Sequence, residues 1–135
     1  MNRSLASLIA IALLLLSCNN DKKSVPITDT DVATTFIRDI LDNNVTDAGQ
    51  FILQDTMNIQ FFERFKQGYV KKDKTELEHF KSSNIIINEY SNVSDSVSII
   101  NYSNSYKKDS KNVLKLVRVH GKWLIDFKYT FSGNM

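Results

Sequence analysis

The stretch Val119-His120-Gly121-Lys122-Trp123-Leu124-Ile125-Asp126-Phe127-Lys128-Tyr129-Thr130-Phe131 decides the fold class. Trp123, Ile125, Phe127 and Tyr129 fall on one side of an extended chain, and Asp126, Lys128 and Thr130 on the other. That period of two is the signature of a half-buried strand. The alternation predicts a last strand over Trp123 to Phe131, with Asp126 turned to solvent. His120-Gly121 before it reads as a tight hairpin turn, the glycine supplying a positive φ.

Working back from the hairpin, Val113 to Val119 reads as its partner strand and Lys107 to Lys111 as a polar turn. Val97 to Tyr106 reads as a strand, Asn92 to Asp95 as a turn, and Ile85 to Tyr90 as the first strand. Before Ser82 the texture is helical. Thr28-Asp29-Thr30-Asp31 offers N-cap residues and acids that suit a helix dipole. Val32, Phe36, Ile37, Ile40 and Leu41 follow on one face, and Asn43-Asn44 makes a stop. Thr46-Asp47 is expected to cap a short second helix through Phe51, Ile52 and Leu53. Asp55-Thr56 is expected to cap a third carrying Met57, Phe61, Phe62, Phe65 and Tyr69, and Thr75 to Glu78 has capping-box spacing for a fourth. Helices followed by an antiparallel meander predict an α+β domain, its helices packed on a curved sheet of about four strands.

Composition narrows the rest. The chain has 135 residues, 17 Lys+Arg against 15 Asp+Glu, and one Cys. This length suits one domain. The near balance of charge leaves no basic footprint, so nucleic acid is not expected as a partner. A lone Cys and two distant His predict neither a disulfide nor a metal site, and no motif calls for a cofactor. No glycine-rich phosphate loop or nucleophile elbow occurs.

The opening residues carry a separate signal. Arg3 precedes an apolar run from Leu5 to Leu16 and then Ser17-Cys18. The run matches the roughly 7–15 apolar residues of a secretory signal and falls short of the about 20 needed to span a bilayer. Leu15-Leu16-Ser17-Cys18 resembles the lipobox of bacterial lipoproteins. The resemblance implies a cleaved signal over 1–17, diacylglycerol and palmitate-type acylation at Cys18, a lipidated tether over 18–28, and a domain over 29–135. It implies a cell-envelope protein held to the membrane by Cys18. Asn19, rather than Asp, after the lipidated residue points to the outer membrane, facing periplasm or surface.

The helical start, the meander and the terminal Gly121-Lys122-Trp123 hairpin together resemble the nuclear-transport-factor-2-like superfamily, whose sheet-on-helix plan is also cystatin-like. The resemblance covers roughly Thr28 to Phe131 and implies a cone with a pocket in its mouth. It implies either a non-catalytic binding domain or an isomerase- or cyclase-like enzyme on a small apolar substrate. Fold alone does not choose between them.

The side chains offer few catalytic candidates. His120 is expected at an exposed hairpin tip and His79 on a helix surface. Phe61, Phe62 and Phe65 at helical spacing read as core. Tyr90, Tyr102 and Tyr106 are the candidate pocket lining, since a phenol joins an apolar ring to a polar tip. The expectation is therefore a non-enzymatic, lipid-anchored protein binding a small apolar ligand or an envelope protein. A toxin-immunity or inhibitor lipoprotein is the further alternative.

Overall fold

The computed structural model describes residues 26–132, so the apolar run and Cys18 lie outside the described residues. No helix among the described residues is long and apolar enough to cross a membrane. The domain is α+β: helices come first, then an open antiparallel sheet in the order β1-β2-β3-β4. Its elements are α1 (Asp29–Leu41), α2 (Val45–Ala48), α3 (Thr56–Tyr69), α4 (Lys74–Lys81), β1 (Ile85–Ser94), β2 (Val97–Asn104), β3 (Asn112–Val119), β4 (Lys122–Ile125) and α5 (Lys128–Ser132).

Helix α1 starts where its caps dictate. The Thr28 hydroxyl accepts from the Asp31 N–H at 3.1 Å, and the Asp31 carboxylate accepts from the Thr28 N–H at 3.2 Å. This reciprocal box satisfies two donors that a helix start otherwise leaves open. The helix stops at Leu41, and Asn43 follows in the left-handed region at φ 64°. Asparagine tolerates that conformation better than most residues. Val32, Ala33, Phe36, Ile37, Ile40 and Leu41 are all buried, so α1 forms the centre of the core.

Three helical expectations are corrected. The second helix is only Val45–Ala48, with Asn44 as N-cap, and runs into a 3-10 turn over Gly49–Phe51. Ile52 then makes a parallel bridge to Ile125, and the Leu53 N–H donates to the Ile125 carbonyl at 2.9 Å. That contact covers the free edge of β4, which is why the helix does not continue through Leu53. In α3 the buried stripe includes Asn58, Phe62 and Tyr69, whereas Met57 faces outward. Helix α4 begins two residues earlier than the Thr75 box implied. Asp73 is its N-cap, its carboxylate accepting from the Glu76 N–H at 2.9 Å.

In the sheet, β1 is longer than expected and the turn tighter, since Ser94 still pairs with Val97. Strand β2 ends at Asn104, whose Oδ1 accepts from the N–H groups of Tyr106 and Lys107 at 3.1 and 2.9 Å. That side-chain turn ends the ladder and carries Lys107 back over the helices. Ser98, Ile100 and Asn104 of β2 are buried along with Leu114 and Leu116 of β3, on the side that the helices cover. The final hairpin is as the sequence predicts: His120 and Gly121 both have positive φ, 49° and 77°.

The last strand is the largest correction. It ends at Ile125, and Lys128–Ser132 form a helical turn instead of continuing to Phe131. The Asp126 N–H still reaches the Lys115 carbonyl at 2.9 Å, but the Lys128 N–H donates to Asn58 Oδ1 at 2.8 Å. A side chain of α3 has captured a donor that a straight strand would leave for the sheet. Phe127 is thereby driven into the core, 3% exposed, rather than along the sheet face.

Candidate functional site

A cavity of about 230 Å³ opens between α1, α3, α4 and the end of β2. Its apolar wall includes Ile40, Leu41, Phe65 and Phe80, and its polar edge includes Asn104, Ser110 and Asn112. Four titratable side chains line it: Tyr69, Lys72, Tyr102 and Lys107. The volume lies below the roughly 300–1,000 Å³ of pockets for drug-sized ligands.

Each wall follows from local structure. Tyr69 ends the buried stripe of α3, four residues after Phe65. Tyr102 takes its place by the period of two in β2, two residues from buried Ile100. The Tyr69 hydroxyl is buried and has no hydrogen-bond partner among the described residues. Burial, reinforced by the Glu76 charge, pushes this phenol up to about 12. Burial, then the neighbouring Tyr69, pushes Tyr102 up as well. Both phenols stay protonated across the physiological range.

At the mouth, Glu76 Oε1 receives two ammonium groups, Lys107 at 2.7 Å and Lys72 at 3.4 Å. The hydrogen bond from Lys107 holds the Glu76 carboxyl below its ordinary range and holds the Lys107 ammonium above its own. Both lysines also stand over the Phe80 ring, 5.6 Å from its centroid for Lys72 and 5.2 Å for Lys107. Their cations therefore close the apolar wall with a positive rim.

The three candidate tyrosines separate. Tyr102 lines the cavity. Tyr106 stands beside it, stacked on His79 at 4.7 Å and edge-on to Phe80 at 5.3 Å. Tyr90 lies elsewhere: its hydroxyl donates to Asp29 Oδ2 at 2.8 Å, tying β1 to the first turn of α1. Burial would raise the Asp29 carboxyl, but the polar groups of Ser98, Tyr90 and Thr30 around it hold it below its ordinary 3.8. A lowered carboxylate stabilises the fold fully above its unfolded value, and that contribution disappears as pH falls through the folded value. Tyr90→Phe is therefore expected to lower stability at neutral pH. Urea midpoints in a pH series should show that gap closing in acid below 3.8; a gap that persists there contradicts the assignment.

His79 and His120 are both exposed, as expected of a helix surface and a hairpin tip. Asp126 is corrected: it is buried, not solvated. Its carboxylate accepts from Asn58 Nδ2 at 3.1 Å and pairs with Lys115 at 3.4 Å and Lys128 at 3.6 Å. Asn58 is itself held by Asp55, which accepts from its N–H at 2.9 Å and its side-chain amide at 2.7 Å. These polar groups satisfy one another, and the arrangement reads as a structural lock between α3 and the chain after β4.

Sequence reasoning missed Tyr69, Lys72, Glu76 and Lys107 as a group. They come from α3, the loop after it, α4 and the β2–β3 loop, so no spacing marks them. A second surface groove adjoins the cavity through Phe65, Tyr69 and Lys72 and includes Phe61 and Phe131, whose rings stack at 5.6 Å. Among the described residues no cluster of His, Cys, Asp and Glu is arranged to hold a metal ion. Comparison with family models, curated proteins and solved structures matches nothing to this chain.

Proposed function

We propose that this chain is a lipid-anchored envelope protein whose domain binds a small ligand in the cavity between its helices and sheet, without catalysing a reaction. The observation that carries the binding reading is the buried, unpartnered Tyr69 hydroxyl on the cavity wall. An unpaired buried hydroxyl costs about 1–3 kcal/mol, and a ligand acceptor recovers it. The titratable lining supports binding over catalysis: two phenols held protonated, and two lysines already engaged by Glu76. A general acid or base works best with a value near the operating pH. The order of helices before a meander is the feature on which the likeness to the nuclear-transport-factor-2-like superfamily rests, and a cone-like enclosure is what that likeness implies.

The anchor rests on Leu15-Leu16-Ser17-Cys18 after the apolar run. A thiol suits lipid transfer through its thiolate, and two or more acyl chains anchor firmly where one is marginal. Cys18→Ser is expected to abolish labelling by palmitate and to leave the precursor uncleaved; a variant that still labels overturns the anchor.

The ligand is tested on the full chain extracted from its own membranes in native nanodiscs. Native mass spectrometry is expected to find a small molecule retained by the parent chain. It should be lost in Ser110→Trp, which fills the exposed edge of the cavity without touching the core. A chain that arrives bare, or an occupant that Ser110→Trp leaves in place, overturns the cavity reading.

A further inference from the structure

We propose that the cavity takes a small monocarboxylate, its apolar body against Leu41, Phe65 and Phe80 and its carboxylate at the mouth beside Lys72 and Lys107. The proposal rests on the ligand-binding reading above and narrows it to one chemical class.

The mouth has two cations for one anion. Lys72 and Lys107 both reach the same oxygen of Glu76, at 3.4 and 2.7 Å, so the group carries one net positive charge. That excess matches a single negative charge and not a doubly charged phosphate ester. The longer of the two links, from Lys72, is the one a second carboxylate can take over without breaking the Lys107–Glu76 bond. Lysines are compact point charges on flexible stems, so the head group is selected by charge and not by a planar fork. The ring of Phe80 lies beneath both ammonium groups and holds them over the apolar wall.

Behind the mouth the wall turns apolar. Leu41 and Phe80 are buried core residues that still border the cavity. The cavity volume of about 230 Å³ restricts the body to a short aliphatic chain or one ring. Tyr69 completes the selection. It is 6% exposed, its hydroxyl has no partner among the described residues, and it presents a hydroxyl that needs a polar partner. An oxygen of the ligand fills that need and a hydrocarbon does not.

The probes are sodium hexanoate and 1-hexanol, which share a chain and differ in charge. Calorimetric titrations use the full chain in nanodiscs, with empty nanodiscs subtracted to remove partition into lipid. Hexanoate is expected to bind about fivefold more tightly than hexanol at low salt, the effect of one partly screened ion pair. Lys107→Met should erase that preference, and the exposed position of Lys107 leaves the core untouched. Tyr69→Phe is expected to weaken hexanoate while raising the melting temperature of the ligand-free chain, because it removes an unpaired buried hydroxyl. Loss of packing alone would lower both.

Equal binding of the two probes, or a preference that survives Lys107→Met, overturns the carboxylate class and leaves the cavity standing as a ligand site. Failure of both probes to bind overturns the class and the cavity reading together.

Discussion

Phe127→Ala is expected to destabilise the domain by about 3–5 kcal/mol, the cost of emptying a buried aromatic site. The ring is the hub of an aromatic cluster. Phe36, Phe62, Phe65 and Phe131 lie with centroids 6.1, 5.3, 5.4 and 5.3 Å away, all in edge-on contact. Edge-to-face pairs add about 0.5–1.5 kcal/mol beyond area burial. The neighbours come from α1, α3 and α5, so they cannot all move in to fill the space. Small domains have only about 5–15 kcal/mol of stability in total. The variant should therefore unfold at much lower urea, with a melting temperature down by about 12–40 °C at 4–8 °C per kcal/mol for a domain near this size. Phe131 is 41% exposed, and Phe131→Ala is the matched comparison. It should cost about 1–2 kcal/mol, since its contacts to the Phe61 and Phe127 rings are partly exposed. Equal losses from the two variants would place the hub elsewhere.

Asn58→Ala is the second large effect, with an expected cost of about 3 kcal/mol from unpaired buried polar groups. Asn58 is fully buried, and its side chain meets three partners, two of them far along the chain. Its Oδ1 accepts from the Lys128 N–H at 2.8 Å, and its Nδ2 donates to Asp126 at 3.1 Å and to Asp55 at 2.7 Å. Alanine leaves a backbone donor without its acceptor and a buried carboxylate with one bond fewer, and adds a void. Lys115 and Lys128 still compensate the Asp126 charge, which keeps the loss below that of stripping a buried ion of all partners. Gln60→Ala, on the exposed side of the same helix, should stay within about 0.5 kcal/mol. Denaturant midpoints for the two variants check the expectation, and a loss under 1 kcal/mol at Asn58 would show that the network adds little. Hydrogen exchange provides a second readout, with the Lys128 amide losing protection first.

These two positions also mark where sequence reading stops. Alternation over Trp123, Ile125, Phe127 and Tyr129 continues past the real end of β4, because alternation reports which residues are apolar and not which partner takes each backbone donor. The break comes from Asn58, 70 residues away along the chain from Lys128. Asp55-Thr56 at the start of α3 is a legible cap signal, but nothing in it tells that Asn58 faces inward. Asp126 was misplaced for the same reason: once the chain leaves the sheet, odd and even positions no longer mean inside and outside.

The cavity divides along the same line. Tyr102 was readable as a strand residue with an apolar ring and a polar tip, and the register of β2 brings it to the helix side. Tyr90 has the same chemistry and a similar place in a strand, yet its hydroxyl is taken by Asp29 at the start of α1. Lys72, Glu76 and Lys107 are ordinary surface residues in sequence, and their grouping exists only because α4 packs beside the β2–β3 loop.

What the sequence by itself determined are the properties set by neighbours along the chain: the Thr28 and Asp55 caps, the amphipathic face of α1, the His120-Gly121 hairpin, and the order of helices before an antiparallel meander. Each depends on a local backbone preference or on a short hydrophobic period. The tertiary structure alone decided where β4 ends, that Asp126 and Asn58 are buried together, and which side chains surround the cavity. Those depend on hydrogen bonds and ion pairs between residues tens of positions apart, whose directions exist only after the helices have closed on the sheet.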